Sequence, residues 1–130
     1  MLLGFYKQFV QPIEIGTKVF TIRKRRKIRP KIGETLYMYT GGYNATRTLI
    51  SNKEKLLGIQ NVRILIKITN KEILYIRIYV DRRLLTDEEI NEFAKFDGFE
   101  SATDWANHWL GKKQRIGALM EILHWTDLKY

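Results

Sequence analysis

The chain has 130 residues, 45% of them hydrophobic and 12% aromatic, with only two prolines and a net charge of +9. That length holds one domain with a real core but not two of ordinary size, and the composition excludes a disordered or linker-rich polypeptide. The lack of cysteine excludes disulfides, thiol catalysis and thiolate metal sites, and His108 and His124 leave little for a histidine metal site, so any catalysis must use oxygen or amine groups, and no metal or cofactor is expected.

The N-terminal MLLGFYKQF lacks the basic-then-apolar order of a secretory signal. No apolar run approaches the roughly 20 residues of a membrane span, so the chain is expected to be soluble and cytoplasmic, without a membrane partner. Residues 2–6 read as a short first strand. FVQPIEIG holds a short helix, because Pro12 is tolerated in a first turn and Gly16 suits the exit. In TKVFTIR, alternation puts Lys18, Phe20 and Ile22 on one face of a strand and Thr17, Val19, Thr21 and Arg23 on the other. Lys18 and Thr21 can still converge if Gly16 or a bulge bends the chain.

Residues 29–33 form a turn, and ETLYMYTG is a strand closed by Gly41 and Gly42. VRILIKIT and ILYIRIYV are two further strands, with Asn70-Lys71 spaced for a hairpin. Thr86 and Glu89 make a capping box ahead of INEFAKF, a helix that should stop near Gly98. Ser101 to Asp104 opens a second helix, with Trp105 and Trp109 on one face and Gly111 at its end. HWTDLKY reads as a closing strand. The sum is an α+β fold whose sheet closes as a small barrel.

Charge is unevenly placed: residues 1–85 carry 18 basic and 5 acidic side chains, and residues 86–130 carry 5 basic and 9 acidic. Seven basic residues fall within the nine from Arg23 to Lys31. Clustered positive charge favours a phosphate backbone as partner, since each neutralised phosphate releases counterions. The alternative is a solvated basic surface kept for solubility. Tyr37, Tyr39 and Tyr43 could stack on bases, although alternating tyrosines more often half-bury one strand face. Trp105, Trp109 and Trp125 read as core, and His108 and His124 as structural.

The spacing Gly16, Lys18, Thr21, Arg23, following a short helix and leading into a basic turn and RPKIGETLYMYTG, resembles the signature of the ASCH domain family, within the PUA-like superfamily. LLGFYKQF, DGFES and HWTDLKY extend the resemblance over nearly all of residues 1–130 as a single domain. It implies a PUA-like barrel of about five to six strands, with short helices around a cleft that takes RNA or a nucleoside. Some members are similar to N(4)-acetylcytidine amidohydrolases or ribonucleases. Their catalytic set, carried onto this chain, is Lys18, Thr21 and Asp97, the last one methylene shorter than the family glutamate. Gly16 and Arg23 would contact the substrate, and Lys24, Arg25, Arg26, Lys27, Arg29 and Lys31 the RNA.

In such an enzyme Thr21 would attack a carbonyl, an amine of lowered pKa at Lys18 would take its proton, Asp97 would relay it, and Arg23 would receive the oxyanion. A binding module needs the same cleft but no acid. Without the family pattern, Lys18 reads as a surface cation, Thr21 as a residue of good β propensity and Asp97 as a polar helix end. A third reading, resting on charge asymmetry, sets the acidic helices against a basic protein partner.

Overall fold

The structure, a computed structural model, describes residues 1–41, 46–111 and 116–130. Eight strands and three short helices follow one another along these residues. They are β1 (Leu2–Phe5), α1 (Val10–Ile15) after a 3-10 turn at Lys7–Phe9, β2 (Phe20–Arg23), β3 (Tyr37–Thr40) and β4 (Thr48–Ser51). β5 (Gly58–Thr69), β6 (Glu72–Val80), β7 (Arg83–Leu84), α2 (Asp87–Phe96), α3 (Ala102–Leu110) and β8 (Leu119–His124) complete them. None of these helices is long and apolar enough to cross a membrane.

The strands form two open sheets, β1-β3-β4 and β2-β8-β5-β6-β7. The expected α+β fold around a closed barrel of five to six strands is therefore incorrect: the described residues are mostly sheet, and no barrel closes. The place where a barrel seam would run shows why. β1 pairs in parallel with β3 on one edge. On its other edge, the Gly4 and Leu2 carbonyls accept from the guanidinium groups of Arg23 (2.6 Å) and Arg26 (2.9 Å). Side chains from the end of β2 and just beyond it satisfy that edge in place of a ladder.

The five-stranded sheet is buried on both faces at one end. Phe20, Ile22, Val62, Ile64, Ile78, Val80, Met120 and Ile122 pack against Ile90, Phe93 and Ala94 of α2 and Trp105, Ala106 and Trp109 of α3. On the opposite face, Leu123 and, just past β8, Trp125 meet Leu3, Phe5, Phe9, Ile13, Leu36, Met38 and Leu56 from the smaller sheet and α1. β8 sits centrally, between β2 and β5. That explains why LMEILH carries a nearly unbroken apolar run rather than an alternation, and why the closing strand is Leu119–His124 and not HWTDLKY.

The predicted hairpin forms with Asn70 and Lys71 as its two-residue turn, both at positive φ. The capping box also forms: Thr86 Oγ1 accepts from the Glu89 amide and the Glu89 carboxylate from the Thr86 amide. Ser101 caps α3 by accepting from the Asp104 amide.

Candidate functional site

Lys18 lies just before β2, not within it, so strand alternation does not govern its side chain. α1 ends at Gly16 in the left-handed region (φ 84°). The Thr17 and Lys18 amides then turn back onto the Pro12 carbonyl, and the Val19 amide reaches the Phe96 carbonyl at 2.8 Å. These bonds lay Lys18 against the end of α2, where Asp97 caps the helix. Lys18 Nζ donates to Asp97 Oδ1 at 2.6 Å and to the Asp97 carbonyl at 2.7 Å. Trp105 Nε1 donates to the second carboxylate oxygen at 3.0 Å. The Phe9 ring lies 4.6 Å from the ammonium. Gly98 is required beside this pair: its φ is 92°, and a Cβ there would stand 3.1 Å from both Lys18 Cδ and the Phe9 ring.

Both partners are almost wholly buried, Lys18 at 2% and Asp97 at 4% exposure. Burial pushes the lysine below its ordinary pKa and the aspartate above its own, while their mutual contact opposes both shifts. The Arg23 charge lowers Lys18 further.

Thr21, on β2, is also buried, and its Oγ1 accepts from Arg23 Nε at 3.0 Å. The guanidinium stacks over Phe5, with Cζ 4.9 Å from the ring centroid. Arg23 thus occupies Thr21 as an acceptor and leaves its hydroxyl proton available to donate. Among the described residues no hydrogen bond joins Lys18 Nζ to Thr21 Oγ1. Gly16 is exposed and shapes the chain; it does not line the cleft.

Lys18, Thr21, Arg23 and Asp97 all line one open cleft of about 590 Å³ between the smaller sheet, β2, the 3-10 turn at Lys7–Phe9 and α3. Its walls include Tyr6, Phe9, Tyr39, Phe99, His108 and Trp109. Trp105, Trp109 and Trp125 are buried as expected of core residues. Trp109 nonetheless shares the cleft, and its buried indole N–H has no partner. The sequence reading treated His108 as purely structural. Nothing in its sequence position signalled its place on the cleft, where it packs edge-on against Phe9. Tyr39 lines the cleft, with Arg47 over its ring at 4.7 Å, Tyr37 is exposed outside it, and Tyr43 lies outside the described residues.

The basic run divides. Arg23 is in the cleft and Arg26 lines its mouth while capping β1. Arg29 makes a two-pronged ion pair with Glu121, a β8 carboxylate only 5% exposed. That contact holds Glu121 below the usual carboxylate range. Lys24, Arg25 and Lys27 stand exposed next in sequence to the cleft residues Arg23 and Arg26, and Lys31 is exposed with its amide on Glu34. Among the described residues no group of three or more carboxylates and histidines stands close enough to hold a metal ion.

His124, at 0% exposure, belongs to a separate network. Gln60 Nε2 donates to Asp81 Oδ2 and to the Tyr130 carbonyl, which leaves Gln60 Oε1 to accept from His124 Nε2 at 2.9 Å and from the Tyr130 amide. The imidazole proton therefore sits on Nε2, and Nδ1 is left unpartnered.

The chemistry of the cleft follows from its inventory. Its cationic and hydroxyl groups include the Arg23 guanidinium, already bonded to Thr21 and the Gly4 carbonyl, the Lys18 ammonium, held by Asp97, and the Thr21 hydroxyl. Its walls are aromatic, and the one carboxylate is already engaged by Lys18 and Trp105. Such a site suits a flat ligand rich in carbonyl, ring-nitrogen or phosphate acceptors. No family model, curated protein or solved structure matches the chain.

Proposed function

We propose that this chain binds RNA, admitting one base or nucleoside to the cleft while the exposed cations of the 24–31 segment receive the neighbouring phosphates. One observation carries the reading: an aromatic-walled cleft of about 590 Å³ holding Arg23 and Arg26 adjoins a segment with four exposed cations, Lys24, Arg25, Lys27 and Lys31. The resemblance of Gly16, Lys18, Thr21 and Arg23 to the ASCH signature supports the same assignment. In this reading Arg23 presents donors to a base carbonyl or phosphate, Phe9 and Tyr39 contact the base face, and the Lys18–Asp97 pair fixes the floor.

Binding of fluorescently labelled single-stranded RNA at increasing salt tests this. Four phosphate contacts give a slope of about −2.8 in log K against log salt, or roughly 50-fold weaker binding at 200 mM than at 50 mM. Replacing Lys24, Arg25, Lys27 and Lys31 with glutamine should remove most of that slope. Arg23→Gln should weaken both RNA and mononucleotide. Affinity indifferent to salt and to these changes refutes the reading.

A second reading, an amidohydrolase or ribonuclease, is favoured by a buried lysine of lowered pKa that lines the same cleft as Thr21. Lys18 is held by Asp97 and Thr21 by Arg23, so a substrate would have to draw the two together. Thr21→Val separates the readings. An enzyme loses nearly all turnover, whereas a binder loses at most the roughly 0.5–1.5 kcal/mol of one hydrogen bond.

A further inference from the structure

The five-stranded sheet has a second exposed surface that the cleft does not use. Strand pairing sets Arg63 opposite Tyr79, Leu65 opposite Arg77 and Lys67 opposite Tyr75, so all six side chains stand on one face of the β5–β6 ribbon. The other face, with Val62, Ile64, Ile78 and Val80, is the one packed against the helices. Arg63, Lys67 and Arg77 are exposed, and Tyr75 and Tyr79 are half-buried. Arg77 lies over the Tyr75 ring at 4.2 Å, so the guanidinium covers one face of the ring and a base would stack on the pair. A concavity of about 650 Å³ is set into this face, lined by Arg63, Leu65, Tyr79 and Leu119, with Asn61 and Arg82 at its side.

The exposed cations on this face outnumber its carboxylates, and Asp81 shares the concavity with Arg63 and Arg82. Asp81 accepts from the Asn61 amide and from Gln60, and Glu121 is taken up by Arg29. Among the described residues no carboxylate pairs with Arg63, Lys67 or Arg77. The same face runs on into the cleft: Arg63 lies opposite Leu119, Asn61 opposite Glu121, and Glu121 opposite Arg23. From β2 to β6 there are three strand-to-strand steps, about 14 Å. Tyr79 and Tyr75 lie two and six residues further along β6 from the level of Arg23, about 7 and 20 Å, so a stacked strand reaches them from the cleft in roughly five to seven nucleotides.

We propose that the exposed β5–β6 face, with Tyr75 and Tyr79 as stacking platforms and Arg63, Lys67 and Arg77 as phosphate contacts, is a second binding surface for single-stranded RNA and extends the track leaving the cleft. The proposal rests on the reading of the chain as an RNA binder. Single strands fit because flat aromatic groups interleaved with cations engage bases and backbone together, whereas a duplex hides its base faces.

The test compares the unaltered protein with R63Q/K67Q/R77Q and with Y75L/Y79L, using a labelled 12-nucleotide single-stranded RNA, a pyrimidine mononucleotide and anionic phospholipid vesicles. Thermal melting confirms that each variant is folded. The charge variant should bind the 12-mer more weakly, with a salt slope reduced by about 2, since each phosphate contact with a single strand contributes about 0.7. The tyrosine variant should lose roughly ten-fold per stacked base at unchanged slope. Both should hold the mononucleotide as the unaltered protein does. If the 12-mer binds and neither variant weakens it, the second surface is overturned and the cleft reading stands. If the unaltered protein binds no RNA, both fall. Loss of vesicle binding with 12-mer binding intact, or equal competition by duplex RNA, also overturns the proposal.

Discussion

Lys18→Met should cost the fold about 3–5 kcal/mol, because it leaves the Asp97 carboxylate buried at 4% exposure with only Trp105 to answer it. A chain of this length has a total stability of roughly 6–20 kcal/mol, so the variant remains folded but clearly weakened. The methionine keeps the apolar stem against Phe9, which confines the change to the amine. Asp97→Asn should cost a comparable amount, since Lys18 is left buried without its carboxylate and the single amide oxygen can accept from only one of Lys18 and Trp105. The double variant, with no charge at the site, should recover at least about 2 kcal/mol relative to the sum of the singles. Urea unfolding at pH 7 measures all three.

Acidification provides an internal check on the same variant. In Lys18→Met the folded-state pKa of Asp97 lies above its unfolded value, so the folded form takes up the proton first. Its deficit should shrink as the pH falls from 7 toward 4. A loss below about 1 kcal/mol, or singles that add to within about 0.5 kcal/mol, refutes the assignment of this pair as a coupled, desolvated strut.

His124 is held at a pKa of about 4, first by desolvation and then by Lys129, against a smaller opposing pull from Asp81. The unfolded chain binds its proton near pH 6.5 and the folded chain does not, so stability falls as pH drops from about 6.5 to about 4, by up to about 3 kcal/mol. His124→Gln, which keeps a donor but does not titrate, should flatten that segment of the stability curve; an unchanged slope contradicts the burial argument. Lys71 holds a φ of 65° in the hairpin turn. Lys71→Gly should therefore raise stability by about 0.5–1 kcal/mol in urea unfolding, and a loss would show that the turn carries no backbone strain.

What could be read from the sequence was local. The capping box, the hairpin turn and the Gly16 exit each depend on residues within a few positions of one another, and each forms. Sheet closure depends on distant pairing, and there the expectation failed: Arg23 and Arg26 take up the carbonyls of β1 that a barrel seam would have used. LMEILH was overlooked because a strand buried on both faces carries no period-two signal. Lys18, Thr21, Arg23 and Asp97 were singled out from spacing and resemblance, and all four line one cleft. Their pairing was not legible, because which cation meets Asp97 depends on α2 ending beside Val19, 77 residues away in sequence from Phe96. Arg29 read as one more surface cation because its partner, Glu121, lies on a strand far along the chain.

The three tryptophan indole N–H resonances offer the most direct test of the central claim that the cleft takes a base. Trp109 lines the cleft with an unpartnered donor, Trp105 is tied to Asp97 behind it, and Trp125 packs against Phe5 outside the lining. In a proton–nitrogen correlation spectrum titrated with a short single-stranded RNA, the Trp109 indole signal should move and saturate with the binding curve, Trp105 should follow by a smaller amount, and Trp125 least. An RNA that binds while the Trp109 signal stays fixed would contradict the account.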